Sequence, residues 1–289
     1  MKLIFGCGYL GERVARRWNE AGHDVAVVTR SDQRAAEFAG QGYRAIVADV
    51  TRPATLTNLP EAENVLFSVG YNQATGQTIE TVYCGGVRNV LAALPERTGQ
   101  FLYISTTGVY GSAGGQWVDE ETPPDPQRDG GRASLAAEQA LADSSLASRG
   151  VVLRLAGIYG PGRIPFLDKL QAGEPIPATS EGYLNLIHVE DAAAVVVAAG
   201  ALGRKRAIYC VSDGHPVQRG EYYREVARLI GAPPPTFVAP APDSPRALRA
   251  AADRRVKNAR MMAELDIELT YPDYRAGLAA ILGGCSRAV

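Results

Sequence analysis

The chain has 289 residues, 46% of them hydrophobic, enough to build one large domain or one domain with a smaller companion. Its 30 Lys and Arg against 31 Asp and Glu give a net charge of −1, which leaves no electrostatic footprint for nucleic acid or an anionic membrane. No apolar run approaches the roughly 20 residues that cross a bilayer, and the four cysteines (Cys7, Cys84, Cys210, Cys285) and three histidines lack the spacing of a metal site or a disulfide framework.

In chain order, the first strand is expected at residues 2–5 (KLIF), followed by Gly6-Cys7-Gly8-Tyr9-Leu10-Gly11. A helix follows, in which Leu10, Val14 and Trp18 recur at helical spacing until Gly22 ends it. The opening segment turns polar too early for a secretory signal, so a cytoplasmic protein is expected. Residues 25–29, 45–48, 64–69, 101–105 and 151–156 read as further strands. Helices are expected at 79–94, 132–148, 189–202 and 221–230. Apolar strands alternating with amphipathic helices predict an α/β fold, a Rossmann-type doubly wound parallel sheet. Past residue 160 the pattern loosens, and 232–245 is a proline-rich surface connector, expected to be extended. The expected division is a nucleotide domain over 1–160 with a returning segment at about 186–212. A smaller, mixed substrate subdomain takes 161–185 and 213–289.

The glycine turn has a physical purpose. A dinucleotide needs its diphosphate against backbone N–H groups at a helix start. Gly6 permits the tight turn, Gly8 lets the backbone approach, and Gly11 lets the helix pack on the strand; Tyr9 and Leu10 lie between them. The second strand ends in Thr29-Arg30-Ser31, with no acid to take the ribose 2′-hydroxyl that NAD would present there. A guanidinium at Arg30 matches a 2′-phosphate, and the neighbouring hydroxyls can donate to it. NADP is therefore expected over NAD. Asp49-Val50 after the third strand is placed beside the adenine, and Ser68-Val69 at the end of the fourth completes the expected cofactor set.

Several blocks together resemble the extended short-chain dehydrogenase/reductases, the group labelled NAD-dependent epimerase/dehydratase. They are the turn at 6–11, ISTTGVYG at 104–111, RLAGIYGPG at 154–162, LIHVEDA at 186–192 and YCVSD at 209–213. The resemblance implies that Thr106 bonds the reacting oxygen of a small carbonyl or hydroxyl substrate. It makes Tyr110 a structural tyrosine, with a second reading as the acid. Dehydratase members carry Asp-Glu after this threonine; here Thr107-Gly108 stands instead, which argues against sugar-nucleotide dehydration. A homodimer through the helices near 75–94 and 132–148 is implied as well.

The family's proton relay is Tyr-x-x-x-Lys. Aligned on Leu135 and Glu138, the tyrosine position holds Gly130 and the lysine position Ser134. The four lysines (Lys2, Lys169, Lys205, Lys257) have no tyrosine four residues before them, so the relay is absent. Arg132, Tyr110 and His188 are the candidates to replace it. Arg163 and Asn185 fall in stretches that line the substrate cleft in relatives, and an arginine there suits a phosphate or carboxylate, although Arg163 has a surface reading too; Arg260, where a helix begins again, has two readings, facing the cleft or solvent. The sequence thus points to an atypical NADP-dependent oxidoreductase or epimerase-like enzyme. The competing reading is a non-catalytic NADP-binding sensor, and a weaker one is a structural protein with an empty site.

Overall fold

The computed structural model describes residues 1–242, 244, 247–248 and 251–283; Cys285 lies outside them. Seven strands form one sheet: β1 (Lys2–Phe5), β2 (Val25–Thr29), β3 (Arg44–Val47), β4 (Asn64–Phe67), β5 (Gln100–Thr106), β6 (Gly150–Leu155) and β7 (Ala207–Val211). Their spatial order is β7-β6-β5-β4-β1-β2-β3, and every pairing is parallel. Such a sheet must be covered on both faces, which is why strands such as KLIF and VAVVT read as almost wholly apolar runs. The α/β expectation holds.

On one face lie α1 (Gly11–Glu20) and α5 (Val189–Leu202), placing Val14, Trp18, Val195 and Val196 against Ile4, Val27 and Leu102. On the other lie α3 (Gly86–Ala93) and α4 (Asp129–Ala142), with Val87, Val90, Ala137 and Leu141 against Phe5, Phe67 and Tyr103. Beyond β2, α2 (Asp32–Gly40) packs Phe38 under the sheet edge. A third apolar cluster, including Tyr159, Ile176, Leu186, Tyr222 and Leu278, joins α6 (Arg219–Leu229) to α7 (Tyr274–Leu282). Part of the proline-rich connector is held extended, since Phe237–Val238 pairs with Ile176–Pro177.

Two helices differ from expectation, each for a local reason. The one expected over 132–148 spans Asp129–Ala142, because the Ser144 hydroxyl donates to the Leu141 carbonyl (2.8 Å) and accepts from the Leu146 amide (3.2 Å). That side-chain turn competes with another helical turn. The helix expected from residue 79 opens as a π-turn, Thr81–Gly85, before α3. A Cβ on the following Gly86 would sit 3.0 Å from the Val50 side chain and 3.2 Å from Phe67, so the backbone packs as closely as glycine allows.

Behind β7, Asp213 is 3% exposed and its Oδ2 has no hydrogen-bond partner. Burial pushes its carboxyl up to about 7, against the smaller opposing pull of the His215 amide and ring. The folded protein therefore holds a proton that the unfolded chain has lost above about pH 4. Stability is expected to fall as pH rises from 5 to 8, by on the order of 2–3 kcal/mol from this group. Urea denaturation of wild type and Asp213→Asn at both pH values checks this: the variant's curve should be flatter over that range.

Candidate active site: a cleft at the switch point of the sheet

The strand order reverses direction between β1 and β4, the place where open α/β sheets bind ligands. A cleft of about 680 Å³ opens there, and it is lined by the glycine turn, by the ends of β2, β4 and β5, and by the start of α4. Gly6 has φ +87°, and a Cβ on it would lie 2.5 Å from the Ser68 carbonyl. The Ser68 hydroxyl donates to the Gly6 carbonyl at 2.9 Å and braces the turn. A Cβ on Gly11 would meet that same carbonyl at 2.6 Å, so the helix can start only where glycine lets it touch the strand. Gly8 is different: a Cβ there would meet nothing within 4 Å, because the residue faces the open cleft.

Among the described residues, no acceptor within the chain takes the backbone N–H of Tyr9 or Leu10. Orphan amides at a helix start, beside a glycine with space in front of it, suit the diphosphate of a dinucleotide. Burial pushes the Cys7 thiol in the same turn up to about 12, so no thiolate opposes an anion there. Tyr9 is fixed between Arg13 and Arg163, 4.4 and 5.1 Å from its ring, and its hydroxyl donates to the Pro161 carbonyl at 3.1 Å.

At the outer end, Thr29, Arg30 and Asp49 line the cleft, and with Ser31 and Arg52 they also line an adjoining depression of about 570 Å³. Asp49 Oδ1 accepts from the Thr51 amide and hydroxyl, which fixes the carboxylate. Val50 is buried at the same wall. Two arginines that sequence reasoning missed stand here. Arg34 reaches both cavities and is engaged by Glu12 (2.5 Å) and Glu37 (2.6 Å). Arg52 and Arg30 have no ion-pair partner among the described residues. The repeat of arginine at 30 and 34, one helical turn apart, was the available signal for the first of them.

At the inner end the candidates separate. Thr106 closes β5 and lines the cleft; its Oγ1 accepts the Gly108 amide at 3.0 Å, which leaves its own proton to donate outward. Tyr110 does not reach the cleft. It is 3% exposed, accepts from Arg154 Nη1 at 2.8 Å and lies 3.0 Å from Cys210 Sγ. Burial, above all, raises its phenol well beyond the ordinary range. Arg154 in turn forks onto Glu138 (2.7 and 3.0 Å), which also accepts from Ser105 at 2.5 Å. Arg132 points to solvent and pairs with Asp129 at 2.6 Å. Neither candidate is brought to the cleft, the first for want of an open path and the second because it occupies the outer face of α4. His188 is buried too, its Nδ1 accepting the Glu190 amide at 3.3 Å as the cap of α5, and burial lowers its pKa. Gly130 and Ser134, at the two relay positions, do line the cleft. So does Arg128, half-buried just ahead of α4 and absent from the sequence-based candidates.

The profile of the NAD dependent epimerase/dehydratase family matches residues 3–211. Protein YeeZ of Escherichia coli (strain K12) is 33% identical over 184 residues, 63% of this chain and 62% of its own length. The match thus spans less than two thirds of that relative. A 3-diazoavenalumate denitrifying reductase of Streptomyces is 29% identical over 309 residues, covering 96% of this chain and 98% of that one. The solved structure of a protein from Methylobacillus flagellatus, described as of the NAD-dependent epimerase/dehydratase type, aligns with a TM-score of 0.78 at 32% identity over 99% of this chain and 98% of its own.

Proposed function

The chain belongs to the NAD dependent epimerase/dehydratase family, and from that premise we propose that it is an NADP-dependent oxidoreductase or epimerase-like enzyme for a small carbonyl or hydroxyl substrate. One juxtaposition supports this reading. A glycine turn with unclaimed amides, Arg30 without an ion-pair partner among the described residues and a threonine hydroxyl with a spare proton all face one cleft, and Arg52 lines the depression adjoining its outer end. Bound there, the nicotinamide would supply or accept a hydride. The chain's own contributions are separable. Gly8, Tyr9 and Leu10 hold the diphosphate, Ser68 keeps the turn in shape, and Arg30 and Arg52 with Thr29 and Ser31 select the 2′-phosphate. Thr106 donates to the substrate oxygen.

The nucleotide choice is tested by following nicotinamide fluorescence. NADPH should bind more tightly than NADH to the wild type. In the double variant Arg30→Ala/Arg52→Ala the NADPH dissociation constant should rise about 10- to 100-fold, as expected for the loss of charge-assisted hydrogen bonds. That for NADH should stay within about twofold. Equal losses for both nucleotides would remove the basis for NADP selectivity, and no binding of either would end the reading altogether.

The absence of the Tyr/Lys relay favours a second reading, a non-catalytic NADP sensor. It predicts tight NADPH binding with no turnover across a panel of aldehydes and ketones.

A further inference from the structure

Arg163 lines the cleft and has no ion pair or side-chain hydrogen bond among the described residues, yet its place is fixed. It closes a tight turn, Gly160-Pro161-Gly162-Arg163, in which the Arg163 amide donates to the Gly160 carbonyl at 2.9 Å. The residues dictate that turn: proline presets the bent φ of the second position, and Gly162, at φ +71°, takes the left-handed third. Tyr9 then pins the turn to the nucleotide loop. Its hydroxyl donates to the Pro161 carbonyl at 3.1 Å, and a Cβ on Gly160 would lie 2.5 Å from that hydroxyl, so only glycine lets the two segments close. The guanidinium stacks on the Tyr9 ring, 5.1 Å from its centre, and keeps all five N–H donors for a ligand.

Tyr9 also carries one of the two unclaimed amides of the glycine turn. Bond lengths alone keep a tyrosine's ring centre within about 5 Å of its own amide nitrogen, so the Arg163 guanidinium is no more than about 10 Å from the Tyr9 amide. A diphosphate with a hydrogen bond at each end spans that gap. The local field favours an anion. Arg13, Arg16 and Arg17 share the Glu190 carboxylate at 2.8, 3.2 and 3.2 Å, and Arg16 also reaches Glu20 at 3.9 Å. With Arg163 beside them, guanidiniums outnumber carboxylates around Tyr9, at the positive end of the α1 dipole. Glu12, in the first turn of α1, is engaged by Arg34.

We infer that Arg163 is a diphosphate-binding residue, presented by the 160–163 turn to complete the anion site that the Tyr9 and Leu10 amides begin. This rests on the nucleotide reading above. The anion it takes is the nucleotide's diphosphate and not a charged group of the substrate, because the guanidinium is stacked on the residue whose amide faces that diphosphate. Its fork supplies two parallel charge-assisted hydrogen bonds to phosphate oxygens. Tyr9 is the positioning residue: its amide, ring and hydroxyl join the two segments, so one side chain sets the distance between the glycine turn and the arginine.

Calorimetric titration of three nucleotides tests this. Arg163→Gln should raise the dissociation constants of NADPH and of 2′-phospho-ADP-ribose, which keeps the diphosphate but lacks the nicotinamide, by about tenfold or more each. Adenosine 2′-monophosphate, which has no diphosphate, should bind wild type and variant within about twofold of each other. Arg163→Lys should recover part of the loss, since charge remains while the planar fork is gone. The residue is exposed, so the melting temperature of the ligand-free variants should stay within about 2 °C of the wild type. Unchanged affinity for NADPH and 2′-phospho-ADP-ribose in Arg163→Gln would overturn the proposal, and so would a loss confined to NADPH or one shared equally by adenosine 2′-monophosphate. If the wild type binds none of the three, the nucleotide reading falls instead, and inorganic pyrophosphate decides Arg163 by itself. It should bind Arg30→Ala/Arg52→Ala, and adding Arg163→Gln should weaken it by about tenfold; no binding, or binding unchanged by the third substitution, would overturn the assignment.

Discussion

Glu138→Ala should destabilise the fold by about 3–5 kcal/mol, the expected cost of stranding one member of a buried ion pair. Arg154 and Glu138 are 3% and 7% exposed, and the carboxylate also accepts the Ser105 hydroxyl. Removing it leaves a guanidinium without its counter-charge in the middle of an apolar strand. For a chain of this size a loss of that order lowers the melting temperature by roughly 10 °C. Guanidinium denaturation of the variant measures it directly, and a change below about 1 kcal/mol would show the pair to be solvated in solution. Replacing both partners, Arg154→Met with Glu138→Leu, should cost far less, because no charge is then stranded.

Gly8→Val should separate binding from folding. The residue is exposed, has no φ constraint and would point a side chain into open cleft. Melting temperature should therefore stay within about 2 °C. NADPH affinity should fall by roughly 100-fold or more, because the added methyls occupy the space in front of amides that would otherwise make charge-assisted hydrogen bonds to phosphate. Gly6→Ala makes the contrast: a positive φ and a 2.5 Å approach to the Ser68 carbonyl mean that it should lose stability and affinity together. Calorimetric binding and thermal melts on both variants check the pair. Unchanged NADPH affinity in Gly8→Val would remove the diphosphate from this turn.

What could be read from sequence follows from what local spacing encodes. The strand–turn–helix at residues 2–20 was legible because three glycines at fixed offsets and the Leu10, Val14, Trp18 stripe each have a local physical cause. The sheet was legible from runs such as VAVVT, which only burial on both faces explains. The inner end was not. Tyr110 sits in the most recognisable block of the chain, yet its hydroxyl is claimed by Arg154, more than forty residues away in sequence and on the strand Gly150–Leu155. The signal was present in a charged residue interrupting the apolar VVLRL, since a buried arginine must have found partners. Arg132 and Arg128 are one helical turn apart in sequence. Which of them meets the cleft depends on where α4 begins, and helix starts are what pattern reading fixes least well.

The sheet's last strand, Ala207–Val211, returns to pair with Gly150–Leu155 after the chain has passed through the residues of the third apolar cluster around Tyr159 and Ile176. Asp191, at the start of α5, accepts the amides of Thr270 and Tyr271, each at 2.9 Å, and so ties a late segment back to the earlier one. Early and late segments of the polypeptide are thus interleaved rather than strung in tandem. A nick between residues 160 and 188 would sever a strand and its covering helix from the rest of the sheet's polypeptide, not release a self-sufficient module. A ligand that stabilised the amino-terminal crevice would on this connectivity be expected to protect the later strand and helix from unfolding as well.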